Sequence, residues 1–497
     1  MPPLRALAGL ALALPLALGA CGGGDDDGEP DDAAGDADDG GDADDGDGGA
    51  AEVTWHKDIA PLVAEHCVSC HKPGGIGPFS LEDHASAQPF AGLMAARVEA
   101  GEMPPWDAVS TDDCETRYDW RDDQRLDADE EALLQAWVDQ GAPEGDPETA
   151  APIPAAPELE LVDATHEVAP EVGFATSGDS DEFICFVLDP EIATDSWMTG
   201  VHMVPSNLEV AHHAVLTVVP PAGQAEIEAL VGPDGSYDCF GGVTATGSFF
   251  AGVWVPGSLP FETPTGVGIP LPANSIFVVQ MHYHPAGRTH DPDATKVQVR
   301  VTDEQPPRQL LFTAVGNAPG TPLLLPGPND QGEVEFRVPA GMADHTETMR
   351  FPISLPGVSQ RFPILSVFPH MHYVGYDLEV KTLRQSPAEG EPSEECLVKV
   401  PRWNFAWQRT YQYDTSLDRL PTVGDGDELT IRCRYDNTLE NPYVQQALTD
   451  ARLEQPVDVF LGEETLDEMC LAAFGIVFDT PEAPAALDLM DQLGQRR

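Results

Sequence analysis

The segment "FPHMHYVGYDLEV", residues 368–380, decides our prediction of the fold. Polar and apolar residues alternate along it, and Val and Tyr, which favour strands, are frequent. Residues two apart on a regular strand point to the same face, so the pattern places His370 and His372 side by side. The segment therefore predicts a β-strand that carries two imidazoles suited to a metal ion.

Similar runs, separated by Pro and Gly, continue on both sides of this segment. They include "EFICFVLDP", "HHAVLTVVPP", "IFVVQMHYHPAG", "TKVQVRVTD", "EVEFRVP" and "DELTIRCRYD". Strands at this spacing, with few helical periods, indicate antiparallel β-sandwiches or barrels. Because one such sandwich takes about 100 residues, we expect two antiparallel β-sandwich (jelly-roll-like) domains, at residues 165–335 and 336–482, followed by a tail at 483–497.

The first residues have the composition of an export signal. Residues 1–21, "MPPLRALAGLALALPLALGAC", combine an early Arg5 with an Ala/Leu-rich run that ends in small residues. The ending resembles a bacterial lipobox, which predicts lipidation of Cys21 and a membrane anchor on the periplasmic or cell-surface side. The alternative is an ordinary signal peptide in which Cys21 has no such role.

Residues 22–52 consist almost entirely of Asp, Gly and Ala and predict a disordered, extended tether. The segment contributes 14 of the acidic residues behind the formal net charge of -60, and these mark no binding face. The remainder is still acidic, which argues against nucleic-acid binding and suits an exported protein.

A C-x-x-C-H motif at Cys67, Cys70 and His71 predicts a covalent c-type haem. Two thioethers anchor the haem, and the adjacent His supplies an axial nitrogen. A zinc or redox CxxC would not require His71. Met103, in "RVEAGEMPPW", is our choice for the sixth ligand, and His84 is its competitor.

The segment "DADEEALLQAWVDQGAP" has helical spacing and a glycine stop at Gly141. It resembles the final helix of a class I cytochrome c, and "GGIGPFSL" with "MPPW" is similar to a bacterial cytochrome subgroup. The resemblance implies a small all-α haem domain at residues 53–148. A linker rich in Pro, Ala and Glu follows at 149–164.

Histidines cluster at three places in the β-rich part: His212 with His213, His282 with His284, and His370 with His372. Imidazole ligands suit copper, zinc or iron, and a thioether ligand would point to copper. Spacing alone does not say whether a Met joins one of these clusters.

The order of "VAHHAVLTVV", "VVQMHYHPAG", "FPHMHYVGYDLEV", "LTIRCRYDN" and "GEETLDEMCLAAF" resembles the copper type II, ascorbate-dependent monooxygenases. This family includes peptidylglycine α-hydroxylating monooxygenase and dopamine β-monooxygenase. The similarity spans residues 165–480. It implies two copper ions separated by solvent, one that activates oxygen and one that transfers electrons.

The resemblance also implies the ligands. The electron-transfer copper would bind His212, His213 and His282, and the catalytic, oxygen-binding copper would bind His370, His372 and Met469. Adjacent residues on a regular strand face opposite sides, so His212 and His213 can share one ion only if the strand is bulged or bent. The family offers no counterpart for His284 or His345.

Nine cysteines in an exported chain include candidates for disulfides, although spacing does not fix their pairing. The family resemblance implies that Cys185 pairs with Cys239 and Cys433 with Cys470. Cys114 and Cys396 remain unassigned.

The family implies an enzyme that uses O2 to hydroxylate a substrate C–H bond, with ascorbate or a redox protein as the electron donor. Peptide-processing members bind a substrate carboxylate through an Arg before the HxH and polar residues after the Met. Here those positions hold Phe368 and Pro369, and Leu471, Ala472 and Ala473. We therefore expect a smaller or more apolar substrate, and we expect the haem to relay electrons to the His212, His213 and His282 copper.

Two other functions fit part of the pattern. One is a lipid-anchored copper and haem electron-transfer or copper-binding protein without catalysis. The other is a zinc hydrolase, for which no Glu general base stands beside the histidines in the sequence. Substrate identity, the physiological donor, the membrane leaflet and the oligomeric state are beyond what the sequence determines.

Overall fold

The computed structural model of the chain describes residues 52–155, 157–178, 181–284, 288–462 and 466–480. The expected signal peptide with Cys21, residues 22–51 of the tether and the tail from residue 483 lie outside them. All described residues fall in one compact unit that begins at Glu52. No helix among them is long and apolar enough to cross a membrane.

Residues 52–155 contain a small helical part. Its helices are α1 (Ala60–His66), α2 (His84–Ala87), α3 (Ala91–Glu99) and α4 (Ala128–Asp139), with a π-helical turn at Trp55–Ile59 and 3-10 turns at Gln88–Phe90 and Pro147–Thr149. At the start of α4 the Asp127 side chain accepts from Glu130 N, and the Glu130 side chain accepts from Asp127 N, which forms a capping box. Trp137 on α4 is buried with Trp55 and Ile59 in a separate small core.

The rest of the chain is mostly β-structure. It also contains α5 (Pro221–Glu228), α6 (Pro442–Asp450) and a 3-10 turn at Phe405–Trp407. The strands are β1 (His166–Val168), β2 (Glu182–Leu188), β3 (Ser196–Val204), β4 (Ala211–Val219), β5 (Ser236–Asp238), β6 (Phe249–Trp254), β7 (Phe261–Glu262), β8 (Val267–Leu271), β9 (Ile276–Tyr283), β10 (Lys296–Thr302), β11 (Arg308–Gly316), β12 (Arg337–Val338), β13 (His345–Pro352), β14 (Arg361–His370), β15 (Gly375–Leu383), β16 (Glu394–Val400), β17 (Tyr411–Gln412), β18 (Thr422–Gly424), β19 (Glu428–Tyr435), β20 (Val459–Phe460) and β21 (Leu471–Asp479).

These strands form three large sheets and one pair. A five-stranded sheet has the order β5-β2-β9-β4-β6, and a four-stranded sheet has the order β13-β19-β15-β16. A ten-stranded sheet runs β1-β10-β3-β8-β11-β21-β14-β17, with β7 beside β3 and β18 beside β14, and β12 pairs with β20. The pairing is antiparallel except for a short parallel contact between β8 and β11, so the predicted antiparallel β-structure is confirmed in this coarse sense.

The ten-stranded sheet continues through both halves of the β-structure. β11 pairs with β21 along its whole length, but it meets β8 only at Arg308 and Gln309. β11 lies within the expected first sandwich (165–335), and its long hydrogen-bonded partner β21 lies within the expected second one (336–482), a pairing that spacing does not reveal. The expected division of the β-structure at residue 335 stays a prediction.

The helical part is fixed to the β-structure. Trp106, Ala108 and Trp120 were expected inside the haem domain, but they are buried in the large core that the sheets share. A disulfide joins Cys114 in this segment to Cys396 on β16. Residues 106–120 therefore pack as part of the β-structure, and no sequence pattern predicted this packing.

The opening segment is not one strand. β14 ends at His370, residues 371–374 form a turn, and β15 begins at Gly375 in a different sheet. A Cβ on Gly375 would lie 2.8 Å from Met371 Cβ, so the turn closes more tightly than any other residue type would allow. The prediction of a single strand across residues 368–380 is wrong, because the chain crosses here from one sheet to another.

Candidate metal centres

Three imidazoles meet at one point on the five-stranded sheet. His212 and His213 lie on β4, and His282 lies on the neighbouring β9. Their Nδ1 atoms are 3.2 Å apart for His212 and His213, 3.2 Å for His212 and His282, and 3.4 Å for His213 and His282. Among the described His, Cys, Asp and Glu side chains, these three form the group with ligand atoms close enough for one metal ion. We call it the tripod cluster.

A bulge in β4 makes the tripod cluster possible. Ala211 pairs with Tyr283, and His213 pairs with His282, so His212 is an extra residue between two pairs. A bulge of this kind bends the strand and redirects the side chain of the extra residue. The irregularity that two adjacent histidines need in order to face one ion is therefore present.

The donor atoms of the tripod cluster fit a metal ion. A tetrahedral ion with bonds of about 2.0–2.1 Å holds its nitrogen ligands about 3.3 Å apart. Burial, with His282 close by, holds the pKa of His212 and of His213 well below its ordinary value. These imidazoles are consequently neutral, and each has a nitrogen lone pair to donate.

Asp181 supports the tripod cluster from outside. Its Oδ2 accepts from His282 Nε2 at 2.9 Å, and its Oδ1 accepts from His284 Nδ1 at 2.6 Å. Burial alone would raise the pKa of Asp181, but the two hydrogen bonds outweigh it and the net pKa is lowered. An ionised carboxylate that accepts from Nε2 leaves His282 Nδ1 available as a ligand. No sequence pattern predicted the contact between Asp181 and His282, which lie 101 residues apart.

His370 and His372 belong to a second group. We call these two histidines and Met469 the corner cluster. The two rings are 5.2 Å apart and nearly perpendicular, at 86°. His370 Nδ1 donates to Gln408 Oε1 at 2.7 Å, and His372 Nδ1 donates to the Asp467 carbonyl oxygen at 3.1 Å. Each histidine thus keeps its Nε2 lone pair. Burial, with His372 nearby, lowers the pKa of His370 to about 3, so its imidazole is neutral.

Glu468 links Met469 to the turn that carries His372. Its carboxylate accepts from Met469 N at 2.7 Å, from Val374 N at 3.2 Å and from His372 N. Burial raises the pKa of Glu468 to about 8, although the backbone N–H groups lower it. Tyr435 Oη donates to the Met469 carbonyl oxygen at 3.0 Å. The backbone of Met469 is therefore held on both sides, and sequence analysis missed Glu468 although it precedes Met469.

Three disulfides are present in the described part of the chain. Two are the pairs that the family resemblance implied, Cys185–Cys239 and Cys433–Cys470. The second joins β19 of the four-stranded sheet to the residue after Met469. The third, Cys114–Cys396, resolves the two cysteines that the resemblance left unassigned.

One aromatic ring contacts both clusters. Phe405 stacks on His212 with ring centres 5.0 Å apart, and it meets His372 edge-on at 6.3 Å. Tyr373 stacks on the same ring at 4.2 Å. We expected two metal sites separated by solvent, whereas here an aromatic side chain fills part of the space between them.

The strand pairs around the corner cluster are apolar. The cross-strand partners on β14 and β21 are Phe368 with Ala473, Pro369 with Ala472, and His370 with Leu471. The Phe368 ring lies 6.1 Å from the His370 ring and nearly parallel to it. At these positions the chain has no side chain that could pair with a substrate carboxylate.

The haem-attachment motif keeps both thiols available. Cys67 and Cys70 are unpaired, and burial raises the pKa of Cys67 to about 12. His71 Nδ1 donates to the Phe79 carbonyl oxygen at 3.0 Å, which leaves Nε2 as its free ligand atom. A Cβ on Gly77 would lie 2.7 Å from His71 Nδ1, so only glycine allows this approach. The donors therefore fit a c-type haem.

The two candidates for the sixth haem ligand differ in their surroundings. His84 Nε2 donates to the Ala142 carbonyl oxygen at 2.9 Å, and its ring contacts Trp55 and Trp137. His84 is thus engaged in packing the helical core, and this arrangement favours Met103 as the ligand.

His345 lies apart from both clusters. It is buried, its Nδ1 accepts from Asn329 Nδ2 at 2.8 Å, and its Nε2 donates to Glu347 Oε1 at 2.6 Å. These contacts give His345 a structural role in β13.

Comparisons with known proteins add no functional assignment. No protein-family model matches the chain, and no curated protein matches it. Structure comparison finds allantoicase, with 11% identity over 53% of this chain and 80% of that chain and a TM-score of 0.13. It also finds BuGH86 in complex with neoagarooctaose, with 8% identity over 85% of this chain and 55% of that one and a TM-score of 0.13. Likenesses at this level carry no argument about fold or function.

Proposed function

We propose that the protein is an exported copper-dependent monooxygenase that hydroxylates a C–H bond of a small or apolar substrate with O2. The observation that carries this proposal is the convergence of three neutral Nδ1 atoms, 3.2–3.4 Å apart, in the tripod cluster. A thioether ligand from Met469, which the family resemblance implies, would favour copper over zinc at the corner cluster. In this proposal the β-structure comprises two jelly-roll-like sandwiches and the helical part is a class I cytochrome c-like domain.

The residues divide the work between the two clusters. His212, His213 and His282 would hold one copper through Nδ1, while His370 and His372 through Nε2 and Met469 through Sδ would hold the other. Bound copper would supply one-electron redox chemistry and oxygen activation.

Neighbouring residues keep these ligands in the right form. Asp181 and Gln408 fix the tautomers of His282 and His370, because each accepts from the ring nitrogen that the metal does not need. Phe405, packed against both clusters, keeps water out of the space it fills.

The apolar strand pairs beside His370 support a substrate without a carboxylate. Phe368 and Leu471 would contact it through dispersion and apolar burial, which orient a small substrate weakly but exclude charged ones. Turnover of a peptidylglycine or phenethylamine substrate at ordinary efficiency would contradict this part of the proposal.

The haem domain would supply electrons, from ascorbate or a redox protein. Cys67 and Cys70 would form the thioethers, with His71 and Met103 as axial ligands. The disulfide from Cys114 to the β-structure supports a fixed haem domain, in contrast to one on a flexible linker. The disulfides also support an oxidising, exported location, which the proposed lipid anchor at Cys21 would specify further.

Metal analysis combined with oxygen uptake tests the proposal. We expect two coppers and one haem per chain, and reductant-dependent O2 consumption with a product heavier by one oxygen atom when a metabolite extract is added. Copper without O2 consumption would instead indicate the non-catalytic carrier. Zinc at both clusters would exclude both copper functions.

A further inference from the structure

Two neighbouring side chains bury hydrogen-bond donors that have no acceptor. Trp106 Nε1 and Arg409 Nε and Nη2 lack a hydrogen-bond partner among the described residues. Trp106 is 5% exposed and Arg409 is 8% exposed, and the guanidinium carbon lies 5.6 Å from the centre of the indole ring. A buried donor left unpaired destabilises the folded protein, and more so when it is charged. Such a group calls for a partner.

The nearest acid does not provide that partner. Asp107 Oδ2 is itself buried without a hydrogen bond. Burial raises the pKa of Asp107 to about 7 even with Arg409 nearby, so this carboxyl is only partly ionised at neutral pH. The charge of Arg409 is consequently not fully compensated by the protein.

The unpaired donors face the haem-attachment motif. A Cβ on Gly257 would lie 3.3 Å from Arg409 Nη2 and 3.6 Å from Cys70 Sγ, so these two atoms approach each other across this glycine. Trp106 and Arg409 also line a cleft that opens to solvent. Its polar lining further includes Arg121, Asp122, Ser258, Thr410 and Gln412.

We propose that Arg409 and Trp106 form a carboxylate-binding site beside Cys70. Nε and Nη2 are the two donors on one edge of a guanidinium, and their spacing matches the two oxygens of a carboxylate. The indole N–H adds a third donor, and three buried donors without acceptors of their own favour an anion. Two sources supply this chemistry: a propionate of the haem that Cys70 would anchor, or a free small carboxylate that enters the cleft. The first source rests on the proposed function, and the second does not.

The site adjoins the corner cluster along the chain. Gln408, the residue before Arg409, accepts from His370 Nδ1 at 2.7 Å. The proposed site and the acceptor that orients His370 therefore belong to adjacent residues.

The test is a spectroelectrochemical titration of the haem in the full-length holoprotein, as wild type and as Arg409→Gln, Arg409→Lys and Trp106→Phe variants. If the haem propionate occupies the site, Arg409→Gln lowers the midpoint potential, because loss of a positive charge disfavours the added electron. The potential also becomes pH-dependent near neutrality, because the unpaired carboxylate gains a higher pKa. Arg409→Lys and Trp106→Phe give smaller shifts in the same direction, and added acetate has no effect.

If a free carboxylate occupies the site, acetate at constant ionic strength shifts the wild-type potential saturably, and Arg409→Gln abolishes this response. Arg402→Gln is the matched control, because Arg402 donates to the Ala100 and Gly101 carbonyl oxygens of the helical part and is exposed. Equal shifts in Arg402→Gln and Arg409→Gln would mean loosened packing and would overturn the site. The site would also be overturned if Arg409→Gln changed neither the potential nor its pH dependence and acetate had no effect on the wild type.

A pyridine haemochrome assay separates this proposal from the proposed function. Protein without haem contradicts the haem assignment, and the site is then tested by acetate quenching of tryptophan fluorescence. Quenching that disappears in Trp106→Phe supports the site with a free carboxylate. Identical quenching in wild type and Trp106→Phe, or none in either, overturns it.

Discussion

The tripod cluster and the corner cluster are built in different ways. The tripod cluster uses two adjacent strands of one sheet, and its geometry follows from one bulge and the register of β4 with β9. The corner cluster combines the end of β14, a turn, and the residue that precedes the Cys470 disulfide. One cluster depends on local pairing, and the other depends on contacts between sheets.

This difference has a physical consequence. Backbone hydrogen bonds between adjacent strands fix the tripod nitrogens directly, so few other residues are needed. The ligands of the corner cluster do not lie on one pair of strands. Their positions depend instead on the buried Glu468, the Cys433–Cys470 disulfide and Gln408. The two clusters should therefore respond differently to changes in their surroundings.

Removal of a ligand should have the largest effect. His282→Ala is expected to lower copper affinity at the tripod cluster by at least about 100-fold. Loss of a residue that only hydrogen-bonds to a ligand already lowers metal affinity about 10–100-fold, and loss of a ligand itself should cost more. Copper measured against protein after dialysis should fall from two ions per chain to one. His202→Gln, at a buried histidine outside both clusters, is the control. Unchanged stoichiometry in His282→Ala would show that the tripod is not a metal site.

Loss of the Cys433–Cys470 disulfide should affect stability and only the corner cluster. The double change to Ser is expected to lower the free energy of unfolding by about 2–4 kcal/mol, because the unfolded chain regains freedom. Copper affinity should fall at the corner cluster, because Met469 loses an adjacent anchor. Denaturant unfolding and copper titration measure the two effects. The matched control is the double Ser variant of Cys185 and Cys239, which should lose stability without weakening the corner cluster.

Asp181→Asn and Gln408→Leu should separate the clusters more finely. Asp181→Asn replaces the charged acceptor of His282 by an amide with one neutral oxygen and one N–H donor group, and Gln408→Leu removes the acceptor of His370. Each change is therefore expected to lower copper affinity about 10–100-fold at its own cluster. Competition titration with a copper chelator checks this selectivity. Asp195→Asn, at a carboxylate that accepts from Ala273 N and lies outside both clusters, is the neutral comparison. A loss shared equally by both clusters would contradict their independent support.

Asp107→Asn should have the smallest effect of these changes, and the effect is on stability. Asp107 lies in the segment 106–120, where the helical part meets the β-structure. The pKa of Asp107 is raised from 3.8 to about 7, so the folded protein binds its proton more tightly than the unfolded chain. Wild-type stability should therefore fall as pH rises from about 4 through 7. At pH 8 Asp107→Asn should be more stable than the wild type, and the difference should shrink as the pH falls below the folded-state pKa of Asp107. Parallel stability curves for the two proteins across this pH range would disprove the linkage.

Some elements followed from sequence pattern. The helix predicted at "DADEEALLQAWVDQGAP" is α4, because its capping residues and apolar spacing lie close together in the chain. Antiparallel strands followed from alternation, and the bulge at His212 followed from the need for adjacent histidines to face one ion. The single strand across residues 368–380 was wrong, because alternation continues on both sides of the corner and does not mark the turn.

The supporting residues could not be predicted. Asp181, Gln408, Glu468 and Phe405 have ordinary surroundings in the sequence, and their contacts join residues far apart along the chain. The docking of residues 106–120 on the β-structure is of the same kind. Spacing rules describe one strand or helix at a time, so they do not report such contacts.

The sequence by itself determined the types and order of the chemical groups: a haem-attachment motif, pairs of histidines, a late methionine and a strand-rich chain. Local hydrogen bonding and side-chain periodicity suffice for these features. The tertiary structure alone decided that three Nδ1 atoms converge, that His282, His370 and His372 have fixed outer partners, and that Arg409 lies beside Cys70. These arrangements depend on packing between sheets, because only burial of distant segments against one another sets the distances at which such groups interact.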